Sequence, residues 1–216
     1  MAEVKSYKPV SNSLGTGQVL HQPYEHDKAR IAIREMAELL VLDMVKKGIS
    51  TNQIVITIGY DIKNLLENIR RQNYTGEVTT DHYGRKTPMH SHGTQNIDHY
   101  TSSTEEIVEN VLKLYDRLVN KDLLIRRLNI TANNIVESKR APKKKHYYQL
   151  NLLTDYEELM ANTKEREARL KREKKQQQAI LDIQSMYGKN ALLKGLNLKE
   201  GGTTIERNQQ IGGHHA

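Results

Sequence analysis

Hydrophobic and polar positions in the first part of the chain follow two different periods. From Asp27, apolar residues recur every three or four positions, which predicts an amphipathic helix ending at Lys46, Lys47 and Gly48. The stripe consists of Ala29, Ile33, Met36, Leu40 and Met44, widened by Ala32, Leu39 and Val45. The following stretch, 53–60, is rich in β-branched residues and predicts a strand with Ile54, Ile56 and Ile58 on one face.

Similar patterns predict the remaining elements of a first domain. Residues 13–20 read as a first strand that ends at Pro23 and Tyr24, and residues 89–101 as a weak, polar strand. A second helix begins at the hydroxyl and acidic residues 102–106. Its apolar stripe is Ile107, Val111, Leu114, Tyr115 and Leu118. Residues 123–135 predict a last strand that alternates through Leu124, Arg126, Leu128, Ile130 and Ala132. Residues 61–88 form an insertion, with a short helix within 61–72.

The order of these elements is strand, helix, strand, strand, helix, strand. It predicts an α+β domain over residues 13–138, after a polar lead-in at 1–12. Its four-stranded sheet, antiparallel or mixed, carries both helices on one face. The other sheet face is then free for a partner, although many unrelated proteins share this order.

The composition changes after residue 138. Residues 139–148 form a basic linker, which by itself is typical of a solvated connector. Residues 149–155 are short and apolar, with Gln149 followed by Leu150, Leu152 and Leu153. Such a segment either docks as an extended peptide on a partner or packs at the entry of the next helix. Residues 157–186 predict a long charged helix that ends at Gly188, so 156–216 reads as a mostly helical tail.

Composition excludes several classes of function. The chain has no Cys, so it forms no disulfide, zinc-thiolate site or cysteine nucleophile, which is compatible with a reducing cytoplasm. No apolar run approaches the roughly 18 residues that a membrane span requires, so no membrane partner is expected.

The net charge of +7 is unevenly distributed. Residues 1–138 carry 17 basic and 17 acidic side chains, whereas residues 139–175 carry 12 basic and 6 acidic ones. Long-range attraction to phosphate is therefore expected mainly from the linker, including Lys143, Lys144 and Lys145, and from the start of the tail helix.

Two features of the predicted strands have alternative interpretations. Gly15 and Gly17 either mark a bulge or bend, or allow a partner to approach the backbone closely. His90 and His92 share a strand face, so His82 or His99 would complete a metal site. Nothing in the sequence fixes that third ligand, and polar strand or loop histidines are the preferred interpretation.

Several segments together resemble the little-finger domain of Y-family translesion DNA polymerases. They are residues 13–15 with 18–20, the helix segment 34–37, and residues 56–60. The tail segments 200–202, 206–208 and 211–214 are similar to the C-terminal signature of the UmuC-like repair proteins of Gram-positive bacteria. Residues 149–153 resemble the sliding-clamp-binding peptide that follows the little finger in such polymerases.

The resemblance implies a set of binding residues. Backbone amides of Ser13, Leu14, Gly15 and Thr16 on the first strand would contact DNA phosphates. So would those of a second group on the third strand, namely His90, Ser91, His92, Gly93 and Thr94. The family usually has Arg and Lys on that third strand, so weak and salt-dependent DNA binding is expected here. Leu150, Leu152 and Leu153 would fill a clamp pocket and Gln149 would bond at its edge. An aromatic is common in place of Leu153, which predicts weaker clamp binding.

The resemblance covers only the C-terminal part of such a polymerase. Fingers, palm and thumb would precede Met1, and the two Mg²⁺ ions of nucleotidyl transfer would belong to that palm. The expectation is therefore a non-enzymatic chain without a cofactor, as a truncated reading frame, a phage- or plasmid-type remnant or a stand-alone module. Its expected partners are DNA, a sliding clamp and a separate catalytic polymerase chain, in the bacterial cytoplasm at the nucleoid. The alternative is an interaction protein that occupies the clamp without a DNA role.

Overall fold

The central element of the computed structural model, which describes residues 12–67, 74–142, 156–211 and 214–215, is an antiparallel sheet. Its four main strands, in spatial order, are β1 (Leu14–Tyr24), β6 (Ile125–Asn133), β2 (Ile49–Tyr60) and β5 (Ser91–Thr101). A short strand, β7 (Val136–Glu137), also pairs with β2. Every pairing in the sheet is antiparallel, which decides between the two sheet types that the sequence left open.

Two helical connections interlock within this sheet. Helix α1 (His26–Lys47) links β1 to β2, and β6 lies between those two strands. Helix α3 (Thr104–Leu118) links β5 to β6, and β2 lies between them. This is the predicted α+β architecture, with both helices packed on the same sheet face.

The core lies between the sheet and these two helices. Ile54, Ile56 and Ile58 of β2 are fully buried, as the alternation predicted. The main apolar stripe of α1 is buried as well, while Leu39 and Val45 at its margin are half-buried. Helix α1 ends where Gly48 adopts a left-handed conformation, with φ of 67°, and donates its N–H to the carbonyls of the last turn.

Two predicted strands differ from the structure. Strand β1 extends beyond the predicted 13–20 and ends at Tyr24, as expected, and an irregularity between Val19 and Tyr24 lets the strand bend. In β6 the predicted alternation fails at its start. Ile125 is buried rather than Leu124, and Arg126 is the unpaired residue of a bulge against β2. The sequence pattern cannot reveal this shift because a bulge changes the face of all residues before it.

The insertion contains more structure than predicted. Its helix, α2, covers only Lys63–Leu66, and residues 68–73 lie outside the described part. A hairpin of β3 (Val78–Thr80) and β4 (Lys86–Pro88) follows. Asn64 anchors α2 because its fully buried side chain exchanges 2.8 Å hydrogen bonds with both the N–H and the carbonyl of Leu124.

Helix α4 (Tyr156–Tyr187) confirms the long charged helix and packs on the helical layer. Glu173 of α4 accepts hydrogen bonds from the N–H groups of Thr104 and Glu105, and so caps α3. Ser103 also caps α3, since its side chain accepts from the Glu106 N–H. Gln177, which is 3% exposed, donates to the carbonyl of Ser102.

A charged cluster supports the same contact. Burial alone would raise the pKa of Glu106, but hydrogen bonds from Thr101, Arg166 and His99 lower it below its usual value. Arg169 pairs with Glu105 in the same way. Part of the basic charge of α4 is therefore paired with acidic side chains of the same chain, on the side of the sheet that carries the helices.

The C-terminal segment also folds back onto α1. It comprises a short 3-10 helix (Gly195–Leu198), α5 (Thr204–Gln209) and a small pair of strands, β8 (Gln210–Ile211) and β9 (His214–His215). Glu35 of α1 is 1% exposed and accepts hydrogen bonds from the N–H groups of Thr203 and Thr204. Arg207 donates to the Thr16 hydroxyl on β1. Through these contacts the segment that carries the tail signature docks on α1 and β1 of the same chain.

Within the described ranges, none of the helices has the length and apolar character needed to cross a bilayer.

Candidate nucleic-acid interface

The sheet face opposite α1 and α3 is polar, and we call it the open face. Strand pairing arranges its residues in rows that run across all four main strands. One row contains Gly15, Thr131, Val55 and Thr94, and the next contains Gly17, Asn129, Thr57 and His92. Both glycines, His92 and Thr94 are exposed, so no described element covers the outer parts of these rows.

Hydrogen bonds between neighbouring strands hold the side chains of this face in place. His92 Nδ1 lies 2.8 Å from the Thr57 hydroxyl. In a further row, Gln53 donates to Asn96 at 2.8 Å and accepts from Asn133 at 3.2 Å. The open face therefore presents ordered amides, hydroxyls and an imidazole, which are groups that contact phosphate and sugar oxygens in protein–DNA complexes.

The predicted residues of the first strand divide between the two faces. Gly15 lies on the open face, while Leu14 and Thr16 point toward the helical layer, where Thr16 bonds to the tail. Ser13 precedes the strand. Neither glycine lies at the irregularity of β1, so the bulge interpretation is wrong for both. A Cβ on Gly17 would lie 2.2 Å from Asn129 Oδ1, and one on Gly15 would lie 2.9 Å from Thr131 Oγ1. Glycine here makes room for side chains of the neighbouring strand and leaves the β1 backbone bare.

The predicted residues of the third strand divide in the same way. His92 and Thr94 lie on the open face, and His90 lies just before β5 and is exposed. Ser91 bonds to Tyr60 and to the Leu118 carbonyl, and Gly93 faces the Leu118 side chain on the helical side. Because β1 and β5 are the two edges of the sheet, the two predicted groups are separated by three strand spacings, roughly 14 Å.

The residues between them were missed by the sequence reasoning. Thr57 of β2 and Asn129 and Thr131 of β6 occupy the centre of the open face. Their alternation with buried Ile56, Leu128 and Ile130 was a signal that they face outward. The sequence did not indicate that β6 and β2 lie between β1 and β5.

Positive charge is concentrated at one end of the open face. Arg127 pairs with Gly59 in the strand register, is exposed, and makes no side-chain hydrogen bond or ion pair with the described residues. Arg126 donates to the His21 carbonyl and lies 3.8 Å from Asp61. The remaining predicted DNA and clamp contacts, Lys143 to Lys145, Gln149, Leu150, Leu152 and Leu153, lie outside the described residues.

The histidines do not form a common site. His92 lies on the open face, whereas His99 turns to the helical side and contacts Glu106. His82 packs against Tyr83 in the hairpin. Within the described ranges, no group of three or more acidic, cysteine or histidine side chains is arranged to hold a metal ion.

Comparison with known proteins places this geometry in context. The model of the impB/mucB/samB family C-terminal domain matches residues 11–152. No curated protein matches the chain. A solved complex of the beta-clamp processivity factor and the little finger domain of PolIV is 10% identical with a TM-score of 0.35, covering 66% of this chain and 99% of that one. An insertion ternary complex of Dbh DNA polymerase is 14% identical with a TM-score of 0.35, covering 62% of this chain and 33% of that one.

Proposed function

The chain belongs to the impB/mucB/samB family, with the C-terminal domain that forms the little finger of Y-family DNA polymerases, and we propose that it holds duplex DNA by the phosphate backbone. The family expected from the sequence is thus confirmed. The observation that carries the DNA-binding proposal is the open face, a polar sheet surface that no described element covers and whose two edge strands carry the predicted contact segments.

The width of the open face supports backbone contacts on both sides of a groove. Its edge strands β1 and β5 are roughly 14 Å apart, and the major groove of B-DNA is about 12 Å wide. A duplex lying across the face would bring one phosphate strand to the glycine-bearing edge at Gly15 and the other to the edge at Thr94. Contacts of this kind position a duplex without reading its sequence.

The charge of the open face predicts weak affinity. Among the described residues, Arg127 is the cation that lies on the open face. The basic linker, including Lys139 and Lys143 to Lys145, supplies most of the remaining attraction. Binding by the full chain is therefore expected to fall steeply with salt, by a slope of about 0.9 for each phosphate neutralised.

A charge-matched pair of variants tests this proposal. Arg127→Gln removes the cation of the open face, and Lys113→Gln removes an exposed cation on α3, on the other side of the sheet. Duplex binding by the full chain is measured by fluorescence anisotropy over a range of salt concentrations. Arg127→Gln is expected to weaken binding and to reduce the salt slope by about one, while Lys113→Gln leaves the slope unchanged.

Equal effects of the two variants would contradict the proposed face and favour diffuse attraction to a basic chain. Absence of binding at low salt, in a chain that still binds the sliding clamp, would favour the interaction protein without a DNA role. The two results are distinguishable because the first requires measurable affinity and the second requires none.

We further propose that residues 149–153 tether the chain to a sliding clamp. Support comes from the resemblance of Gln149, Leu150, Leu152 and Leu153 to a clamp-binding peptide, and from their position after a folded domain and a basic linker. The double variant Leu152→Ala, Leu153→Ala is expected to lose binding to purified clamp. Leu198→Ala, at a leucine that is 71% exposed in the tail, serves as the matched control.

The same double variant tests the alternative for these leucines. If they pack at the entry of α4, the double variant lowers the helical circular dichroism signal and leaves clamp binding unchanged. In the proposed role the chain contributes DNA and clamp contacts to translesion synthesis in the bacterial cytoplasm. Nucleotidyl transfer would come from a palm domain, which supplies the Mg²⁺-binding carboxylates.

A further inference from the structure

The insertion hairpin and one end of the open face enclose a cleft, and we propose that this cleft binds single-stranded DNA continuing from the duplex. In this arrangement Lys63 and Arg127 contact phosphates, and the ring of Tyr83 stacks on a base. The inference rests on the proposed DNA-binding function, and it assigns a ligand to the insertion at 61–88.

The cleft is continuous with the open face. Its walls include Thr57, Gly59 and Asn129 from the central strands, together with the hairpin residues 79–83 on the other side. A nucleic-acid strand that follows the row of Asn129 and Thr57 would therefore pass directly between the sheet and the hairpin.

The charges lining the cleft favour an anion. Among the described residues that line it, Lys63, Arg85, Arg126 and Arg127 face two acidic residues, Asp61 and Asp81. Arg85 is bound to Asp81 and Arg126 lies near Asp61, so the acidic side chains are already matched. In the part of the chain that the structure describes, the side chains of Lys63 and Arg127 have no hydrogen-bond or ion-pair partner, and both are exposed. Two unpaired cations that line one cleft suit successive phosphates of one strand.

Both cations are held on fixed backbone. Lys63 begins α2, and the next residue, Asn64, is buried and bonded to Leu124 at the start of β6. Arg127 lies in the ladder of β6 with β1 and β2. A site built on such elements loses less conformational entropy on binding than one on a mobile loop.

The tip of the hairpin presents an aromatic ring in a fixed position. Asp81 closes the turn, because its Oδ1 accepts the N–H groups of Tyr83 and Arg85, each at 2.9 Å. Gly84 has a φ of 77°, which lets the chain reverse within this turn. The Tyr83 side chain is left 76% exposed.

Arg85 lies over the Tyr83 ring and supports it for stacking. Its guanidinium carbon lies 5.1 Å from the ring centroid, and its Nε donates to Asp81 at 2.8 Å. The ring is therefore supported by a cation that is itself held by a carboxylate, while most of the aromatic surface remains open. An exposed ring with adjacent cations is the arrangement that proteins use to stack single-stranded bases without sequence preference.

The experiment compares two DNA probes on the full chain. One is a blunt duplex, and the other is the same duplex with a single-stranded extension on one strand. The extension is expected to increase affinity roughly 5- to 150-fold, the contribution of one stacked base. Tyr83→Ala should lose the stacking part of this increment and leave binding of the blunt duplex unchanged, whereas Tyr83→Phe should retain the full increment.

Tyr187→Ala is the matched control, since Tyr187 is 74% exposed and ends α4 on the helical layer. Thermal unfolding of each variant checks that the fold is kept. An increment that is absent in the unmodified chain, or equal in Tyr83→Ala and Tyr187→Ala, would overturn the inference.

The failure of this inference is distinguishable from failure of the proposed function. If the blunt duplex binds and the extension adds nothing, only the cleft assignment is wrong. If the extended probe alone binds, and does so through Tyr83, the cleft assignment holds and duplex binding by the open face is wrong. If neither probe binds, both are wrong.

Discussion

Glu35 provides the sharpest test of how the C-terminal tail is held. Its carboxylate is buried between α1 and the tail and accepts the N–H of Thr203 at 2.7 Å, the N–H of Thr204 at 3.2 Å and the Asn197 side chain at 2.7 Å. The N–H groups of Thr203 and Thr204 stand at the start of α5, where an acidic group also stabilises the helix dipole. Glu35→Ala removes the acceptor for all of them.

The expected loss follows from the two main-chain contacts. A hydrogen bond to a charged group contributes about 1.5–3 kcal/mol. Two such bonds therefore contribute roughly 3–6 kcal/mol to the docking of the tail. At the lower figure the undocked population rises by about two orders of magnitude. The four-stranded sheet is affected much less, because the carboxylate faces the tail and not the core.

Hydrogen exchange followed by mass spectrometry measures this directly. Amides of residues 203–209 should exchange about 100-fold faster in Glu35→Ala, and amides of β2 and β6 should keep their protection. Asp43→Asn is the control on the same helix, because it removes the same charge from an exposed pair with Lys47. That pair contributes less than about 0.5 kcal/mol.

Two results would refute this reasoning. Exchange in the tail that matches the Asp43→Asn control would show that the carboxylate does not hold the tail. An equal loss of protection in the tail and in the sheet would show that they open as one unit, so that Glu35 stabilises the whole fold.

Three further predictions concern α4, its charged contact and the glycine edge. Glu173→Ala should weaken the packing of α4 on α3 by about 1–2 kcal/mol, the usual effect of losing a helix cap. Glu167→Ala, at an exposed position of α4, should have no such effect, and urea denaturation monitored by circular dichroism compares the two. The stability that Glu106 contributes should be fully present above about pH 4.3, the ordinary Glu pKa, and should be lost as the pH falls through its lowered pKa. In thermal unfolding at a series of pH values, Glu106→Gln should therefore lose less stability on acidification than the unmodified chain. Gly17→Val should displace the Asn129 side chain and cover the β1 backbone, which lowers duplex affinity in the anisotropy assay with little change in melting temperature. An unchanged affinity would count against a backbone contact at this edge.

The periodicity of the sequence determined the kinds of element and their inward faces. The main α1 stripe and the three isoleucines of β2 are buried as expected. A regular period places such side chains on one side of their element, where a single neighbouring layer is enough to bury them. The family could also be predicted, because short segments of the strands and of the tail carry its sequence pattern. The hairpin was missed because three-residue strands are too short to establish a period.

Tertiary structure decided which residues share a surface. Gly17, Asn129, Thr57 and His92 are distant in sequence, and they form one row only because β6 and β2 lie between the edge strands. A local pattern reports that a residue faces outward, but strand order is set by packing of the whole chain.

The same limit applies to charge. Glu35 looks like a solvent-exposed residue of an amphipathic helix, and it is buried because amides 168 residues later fold onto it. Burial of a carboxylate is favourable only when donors replace its water, and those donors are supplied by a distant segment. Sequence by itself thus determined the layers of this protein. Only the folded chain determined the polar rows of the open face, the cleft beside the hairpin and the dock of the tail.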